Sequence, residues 1–190
     1  MAGRGGRVNL SSRMLGWTMA SLLLLSLAGC GQSLHDLAAR GDIEAMRDAI
    51  ARNPESVNSR DILDKTPLHH AVSNKRLEAM ALLVESGADI NAADKTGLTP
   101  LHVAAMQGRR DEAAWLLDHG ADATKRDSFG DQPIHTAAVF GMGGSIQLFR
   151  QRGMAVDTPN ASGETPLDIA RKYRHEKLIA YLEKLAGAQG

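Results

Sequence analysis

Cysteine is almost missing from this chain: Cys30 is the only one among 190 residues. That excludes an intrachain disulfide and any thiolate metal cluster, so packing alone must hold the fold. Aromatic residues are scarce at 4%, and the core must therefore be mainly aliphatic. There is no excess of charge of either sign, with 22 basic and 22 acidic side chains. The distribution is uneven, because Arg4, Arg7 and Arg13 are the only charged residues before position 30, which leaves 19 basic against 22 acidic residues in the remainder. A mildly acidic remainder without a basic face argues against a nucleic-acid partner. No long hydrophobic run exists either. Met19–Ala28 (MASLLLLSLA) is much shorter than the ~20 residues needed to cross a bilayer, and behind three arginines it reads as a secretory signal. The 43% apolar content excludes a disordered tail and predicts a folded domain.

The end of that run is informative. Leu27-Ala28-Gly29-Cys30 resembles the bacterial lipobox, which implies cleavage before Cys30 and acylation of its sulfur. No adjacent arginine pair precedes the run, which points to the general secretion route. Two or three acyl chains, at about 0.8 kcal/mol per buried methylene, would hold the protein on a membrane. Repeat-like sequence starts by Leu34, so the tether after the cysteine spans about 10 Å at most and the domain is expected to lie against lipid headgroups. The residue after the cysteine is Gly31 and not aspartate, which by resemblance to enterobacterial lipoproteins implies the periplasmic face of the outer membrane.

Beyond residue 33 the chain repeats itself. TPLH at Thr66–His69 recurs at Thr99–His102, as QPIH at Gln132–His135 and as TPLD at Thr165–Asp168, each step being 33 residues. Asp61, Asp94, Asp127 and Asn160 keep the same step, as do Gly87, Gly120 and Gly153. Leu34-His35 and Gly41 mark a degenerate opening copy. A period of this length signals a stack of supersecondary units. The motifs resemble the ankyrin repeat over roughly residues 34–186. This implies an all-α solenoid of about five helix-turn-helix copies (about 34–60, 61–93, 94–126, 127–159 and 160–186) with projecting hairpin-like loops. Residues 1–29 then form the signal peptide, 30–33 the lipidated cysteine and tether, and 187–190 a tail.

Elementary physics supports each copy. Thr66 and Thr99 suit a helix N-cap, and the proline after each suits the first helical position, where its missing N–H is not needed. Ala104 and Ala105 keep the first helix slim. Met80, Leu82, Leu83 and Val84 give the second helix a buried face, and Gly87, Gly120 and Gly153 suit a left-handed C-cap. End copies of a solenoid must turn a polar side outward, and Asp48 and Glu183 stand where inner copies have apolar residues. Trp115 aligns with Leu82 and reads as core packing. In the fourth copy Gln132 replaces the capping threonine, and Gly143 and Gly144 open the second helix. The hypothesis is that this copy is the loosest of the array; uniform hydrogen-exchange protection from the third copy to the fifth would end it.

The residues that could carry chemistry do not assemble into a site. His69, His102 and His135 belong to different copies, whose helices stack 8–10 Å apart, whereas zinc needs nitrogens at about 2.0–2.1 Å. By resemblance these histidines tie neighbouring loops together. His70 and His119 are expected to be exposed, and His175 lies near the closing helix. The Gly141–Ser145 segment lacks the lysine of a phosphate loop and falls on a helix-helix turn. Arg40-Gly41-Asp42 falls on such a turn too, and the Asn160-Ala161-Ser162 sequon means little behind a lipobox. No nucleophile elbow is present. The expectation is a non-enzyme without metal or cofactor.

The resemblance implies a partner protein bound through loop tips and the concave side of the first helices. The 33-residue step places these positions at Ile62, Leu63, Ser73 and Asn74, then Lys95, Thr96, Leu98, Met106 and Gln107. The fourth copy adds Ser128, Phe129, Asp131, Val139 and Phe140, and the fifth adds Ala161, Ser162, Lys172 and Tyr173. Many are apolar, and an exposed apolar strip marks an interface, with its aromatics as anchors. The function expected is a lipid-anchored periplasmic adaptor or scaffold. The alternative is an immunity protein that blocks a periplasmic toxin or lipase, which a neighbouring toxin gene would favour.

Overall fold

A computed structural model describes residues 32–187. The signal segment, Cys30 and residues 188–190 lie outside the described residues, so the lipidation assignment does too; of the expected tail only Gly187 is described, and it ends the last helix. Ten α-helices and no strand occur among the described residues, in five antiparallel pairs. The first helices are α1 (Leu34–Arg40), α3 (Pro67–Ser73), α5 (Pro100–Met106), α7 (Pro133–Val139) and α9 (Pro166–Lys172). Their partners are α2 (Ile43–Arg52), α4 (Leu77–Glu85), α6 (Arg110–Asp118), α8 (Gly143–Gln151) and α10 (Glu176–Gly187). The first helices pack side by side in chain order, and the second helices form a further layer, with α2 on α4, α6 on α8 and α8 on α10. None of the described helices is long and apolar enough to cross a membrane.

The start of each first helix follows from its sequence. Thr99 and Thr165 accept the amide of the residue three positions on, through their hydroxyls at 3.5 and 3.2 Å. Proline holds the first helical position in α3, α5, α7 and α9. Ala71, Ala104, Ala105, Ala137 and Ala138 are wholly buried between neighbouring first helices, where any larger side chain would hold the layers apart. The second helices supply bulk: Met46, Met80, Leu83, Leu116, Ile146 and Phe149 are all fully buried. Each inner pair closes on a left-handed glycine, Gly87 (φ 92°), Gly120 (φ 91°) or Gly153 (φ 81°). The amide after it returns to a carbonyl in the last turn, as Ala88 N–H does to Leu83 O at 2.9 Å.

Three expectations need correction. Val84 and Trp115 are half-buried against the core and not inside it. Trp115 packs against the core from its edge, and its ring also stacks on exposed His119, with centroids 3.7 Å apart. His70 is half-buried, because Asp61 Oδ2 takes its Nε2 at 2.9 Å and His35 meets its ring edge-on. At the ends, Asp48 and Glu183 are exposed as the solenoid requires.

In the fourth copy Gly143 and Gly144 form the first turn of α8. The next residue, Ser145, holds the only buried side-chain hydroxyl without a hydrogen-bond partner among the described residues. A Cβ added at Gly144 meets nothing within 4 Å. Gly144→Ala should therefore stabilise the copy by about 0.5 kcal/mol by restricting the unfolded chain. Amide exchange in α8 should slow roughly twofold, and faster exchange would show that the first turn needs glycine.

Candidate functional site

Between helix pairs the chain makes a loop, or finger, built by one carboxylate or amide. Asp94 Oδ1 accepts the amides of Thr96 (2.8 Å) and Leu98 (3.1 Å). Asp61, Asp127 and Asn160 repeat this arrangement on Leu63 and Lys65, on Phe129 and Asp131, and on Ser162 and Glu164. Neighbouring fingers are joined through the backbone, Lys95 N–H to Leu63 O and Ser128 N–H to Thr96 O, both at 3.0 Å. The last finger slips by one residue, so that Ala161 N–H reaches Gly130 O at 3.3 Å.

The repeated histidines lock each finger to the helices. Thr66 N–H donates to His69 Nδ1 at 3.1 Å, which leaves the ring proton on Nε2 to donate to Leu98 O, one finger on, at 3.0 Å. His102 does the same from Thr99 to Asp131 O (3.0 Å), and His135 from Gln132 to Thr158 O (2.8 Å). Gln132 keeps the backbone half of this arrangement, while its side-chain amide turns to Thr124 O at 3.5 Å. His35 of the opening copy reaches Ser59 O and Lys65 O. No finger follows the closing copy among the described residues, and there Asp168 takes the place of histidine, accepting the Thr165 amide and hydroxyl at 3.0 and 2.6 Å. Burial, working against the hydrogen bond to Leu98, pushes His69 down to about 4. Burial lowers His102 and His135 as well. All three are neutral structural ties, and no group of three or more metal-ligating side chains converges among the described residues.

The sites expected to face a partner divide into two groups. Leu98, Met106, Phe129, Asp131, Val139, Phe140, Ser162, Lys172 and Tyr173 come together around a groove of about 440 Å³. Thr136 and Ile169 lie at its base, and Asp127, Asn160 and Glu164 add polar lining. These five were not expected, because their positions read as finger-turn or core positions; only the folded arrangement opens them to a shared cavity. Phe129 is 75% exposed, Phe140 47% and Tyr173 50%, whereas Leu98, Met106 and Val139 are half-buried against the stack.

The second group lies away from the groove. Ile62 (91% exposed) and Leu63 are apolar tips on the first finger, and Lys95, Ser128 and Ala161 are exposed on later ones. Thr96 is tied to Asp94 Oδ1 through its hydroxyl at 2.8 Å. Asn74 caps α3 through His70 O. Gln107 reaches Ser73 Oγ at 3.4 Å and Arg109 reaches Ser73 O at 3.2 Å. Ser73 and Gln107 therefore join the second copy to the third, a use that the 33-residue alignment does not reveal.

A family model described as ankyrin repeats (three copies) matches residues 34–127. NAD-dependent deacetylase sir2B of Dictyostelium discoideum is 47% identical over 47 residues, which is 25% of this chain and 6% of that protein. That likeness is longer than one 33-residue period and shorter than two, and it brings nothing of deacetylation to this chain. Ankyrin repeats are typically non-catalytic modules of protein–protein interaction. Helix pairs, fingers and histidine ties stay in register across the described residues, which form an ankyrin-repeat helical solenoid.

Proposed function

We propose that this protein is a lipid-anchored adaptor of the bacterial envelope, held by Cys30 at the periplasmic face of the outer membrane, that binds a partner protein in the groove between its third and fifth copies. The observation that carries the reading is the convergence of Phe129, Phe140 and Tyr173, all substantially exposed, on one cavity. Exposed aromatics gathered at a concavity are costly to solubility and are the residue types that dominate interface energetics. The lipobox motif, with a short segment between Cys30 and Leu34, supports the envelope location.

Both halves have a direct test. A photocrosslinking residue placed at Phe129 or Phe140 in living cells should trap one discrete partner, which the same residue at exposed Lys184 of α10 should not. Phe129→Ala and Phe140→Ala should each weaken that partner's binding by about 2 kcal/mol, roughly thirtyfold, with little change in folding. A double variant that binds at the original affinity would place the interface elsewhere. Cys30→Ser should release the protein from the membrane fraction, and retention there would refute the anchor.

A further inference from the structure

The groove has a charge pattern as well as an apolar wall. Asp127, Asp131, Glu164 and Lys172 line it. Lys172 Nζ sits 2.7 Å from Glu164 Oε1 and also feels Asp131, so this one cation offsets one of three carboxylate charges. Two carboxylates remain. Asp127 Oδ1 is occupied by the amides of Phe129 and Asp131, and Asp131 Oδ1 by Asn160 Nδ2 at 2.7 Å. No hydrogen bond to either Oδ2 occurs among the described residues. Arg126 gives its guanidinium to Gly130 O and Pro159 O. A cavity of a few hundred Å³ takes a few side chains and not a whole domain surface. A carboxylate pair beside aromatic faces suits a cation, through charge-assisted hydrogen bonds and through attraction to the rings.

We propose that the groove takes a peptide segment of the partner in which a lysine or arginine adjoins a large apolar residue, the cation meeting Asp127 and Asp131 and the apolar side chain meeting Phe129, Phe140 and Tyr173. This rests on the groove being the protein-binding site. The fold supplies its own control: in the fifth copy Asn160 builds the finger turn with an amide oxygen where the fourth copy uses Asp127. Asp127→Asn therefore removes charge while keeping the turn, and Asp131→Asn keeps an acceptor for Asn160.

The full chain in detergent would be offered a displayed library of random twelve-residue peptides, and the bound sequences read. Enrichment of Lys or Arg beside Phe, Leu, Ile or Trp is the expected result. The strongest such peptide, synthesised, should bind the Asp127→Asn/Asp131→Asn variant roughly tenfold more weakly and lose affinity as salt rises. Bound peptides that are apolar without basic residues, and that bind this variant as well as the original, would overturn the charge assignment and leave the groove standing. Peptides whose binding is indifferent to Phe129→Ala/Phe140→Ala would overturn the groove itself.

Discussion

Lowering the pH from 7.5 to 4.5 should cost this domain several kcal/mol of stability, before its carboxylates contribute. His69 is held neutral by burial down to about 4, whereas in the unfolded chain it protonates near 6.5. Above that value both states carry a neutral ring and there is no pH dependence. Below it, the unfolded chain takes up a proton that the folded chain refuses, so stability falls until the folded ring protonates near 4. For His69 alone the loss is about 3 kcal/mol, and His102 and His135 are shifted in the same direction for the same reason.

The geometry explains the refusal: a proton on Nδ1 would face the N–H of Thr66, Thr99 or Gln132, which now donates to that nitrogen. Carboxylates act lower. For Asp61 burial raises the value, but the hydrogen bonds from His70 and from the Leu63 and Lys65 amides outweigh it and hold the group at about 2. Its contribution is present above the usual carboxylate value and is lost only as pH falls toward 2. Urea titrations at half-unit steps should show the loss between pH 6.5 and 4, and His69→Gln should flatten it. A constant midpoint across that window would contradict the neutral ties.

The second large effect is a graded series in the fingers. Gly97, Gly130 and Gly163 occupy equivalent positions at φ 81–82°, so alanine at any of them meets the left-handed penalty of roughly 1–2 kcal/mol. What differs is the neighbouring finger. At Gly163 a Cβ meets nothing within 4 Å, and the backbone penalty is the whole cost. At Gly130 it would overlap the Cβ of Ala161, which Ala161→Gly removes. At Gly97 it lies 2.7 Å from Ser128 N and 2.9 Å from Asp127 Cα, and backbone cannot be trimmed. Overpacking of this kind adds about 1–3 kcal/mol. The expected order of destabilisation is Gly163→Ala, then Gly130→Ala, then Gly97→Ala, with Ala161→Gly rescuing only Gly130→Ala. Equal losses at all three sites would mean that the fingers do not touch as described. The first finger carries Asp64 at φ 59° in this position, a residue type that visits the left-handed region more readily than most.

The fold was legible because it is periodic. Thr-Pro starts, buried alanines and closing glycines recur every 33 residues, and each has one structural reason. The expected interface was legible only as a set of equivalent positions, and equivalence does not say what lies opposite. By the 33-residue step Ser73 corresponds to Met106 and Asn74 to Gln107, yet it is Ser73 and Gln107 that contact each other. Leu98, Met106 and Val139 lean back on the stack, while Phe129 stays out. Asp127 and Asn160 read as turn builders, which they are, and they also line the groove because the fingers bring them beside α7 and α9. Departures from the period were the harder part to foresee, since the slip of the last finger follows from spacing and hydrogen bonding that no single copy encodes.

One consequence follows from the groove drawing its walls from three consecutive copies. Whatever occupies it is a brace across joints that separately are weak, so occupancy raises the free energy of every opening that would part those copies. Fraying from the C-terminal end is the motion most strongly opposed, because α9 contributes Ile169 and Lys172, and the turn after it Tyr173. If the groove is filled as proposed, guest and host order one another, and the engaged array should melt more uniformly than the idle one.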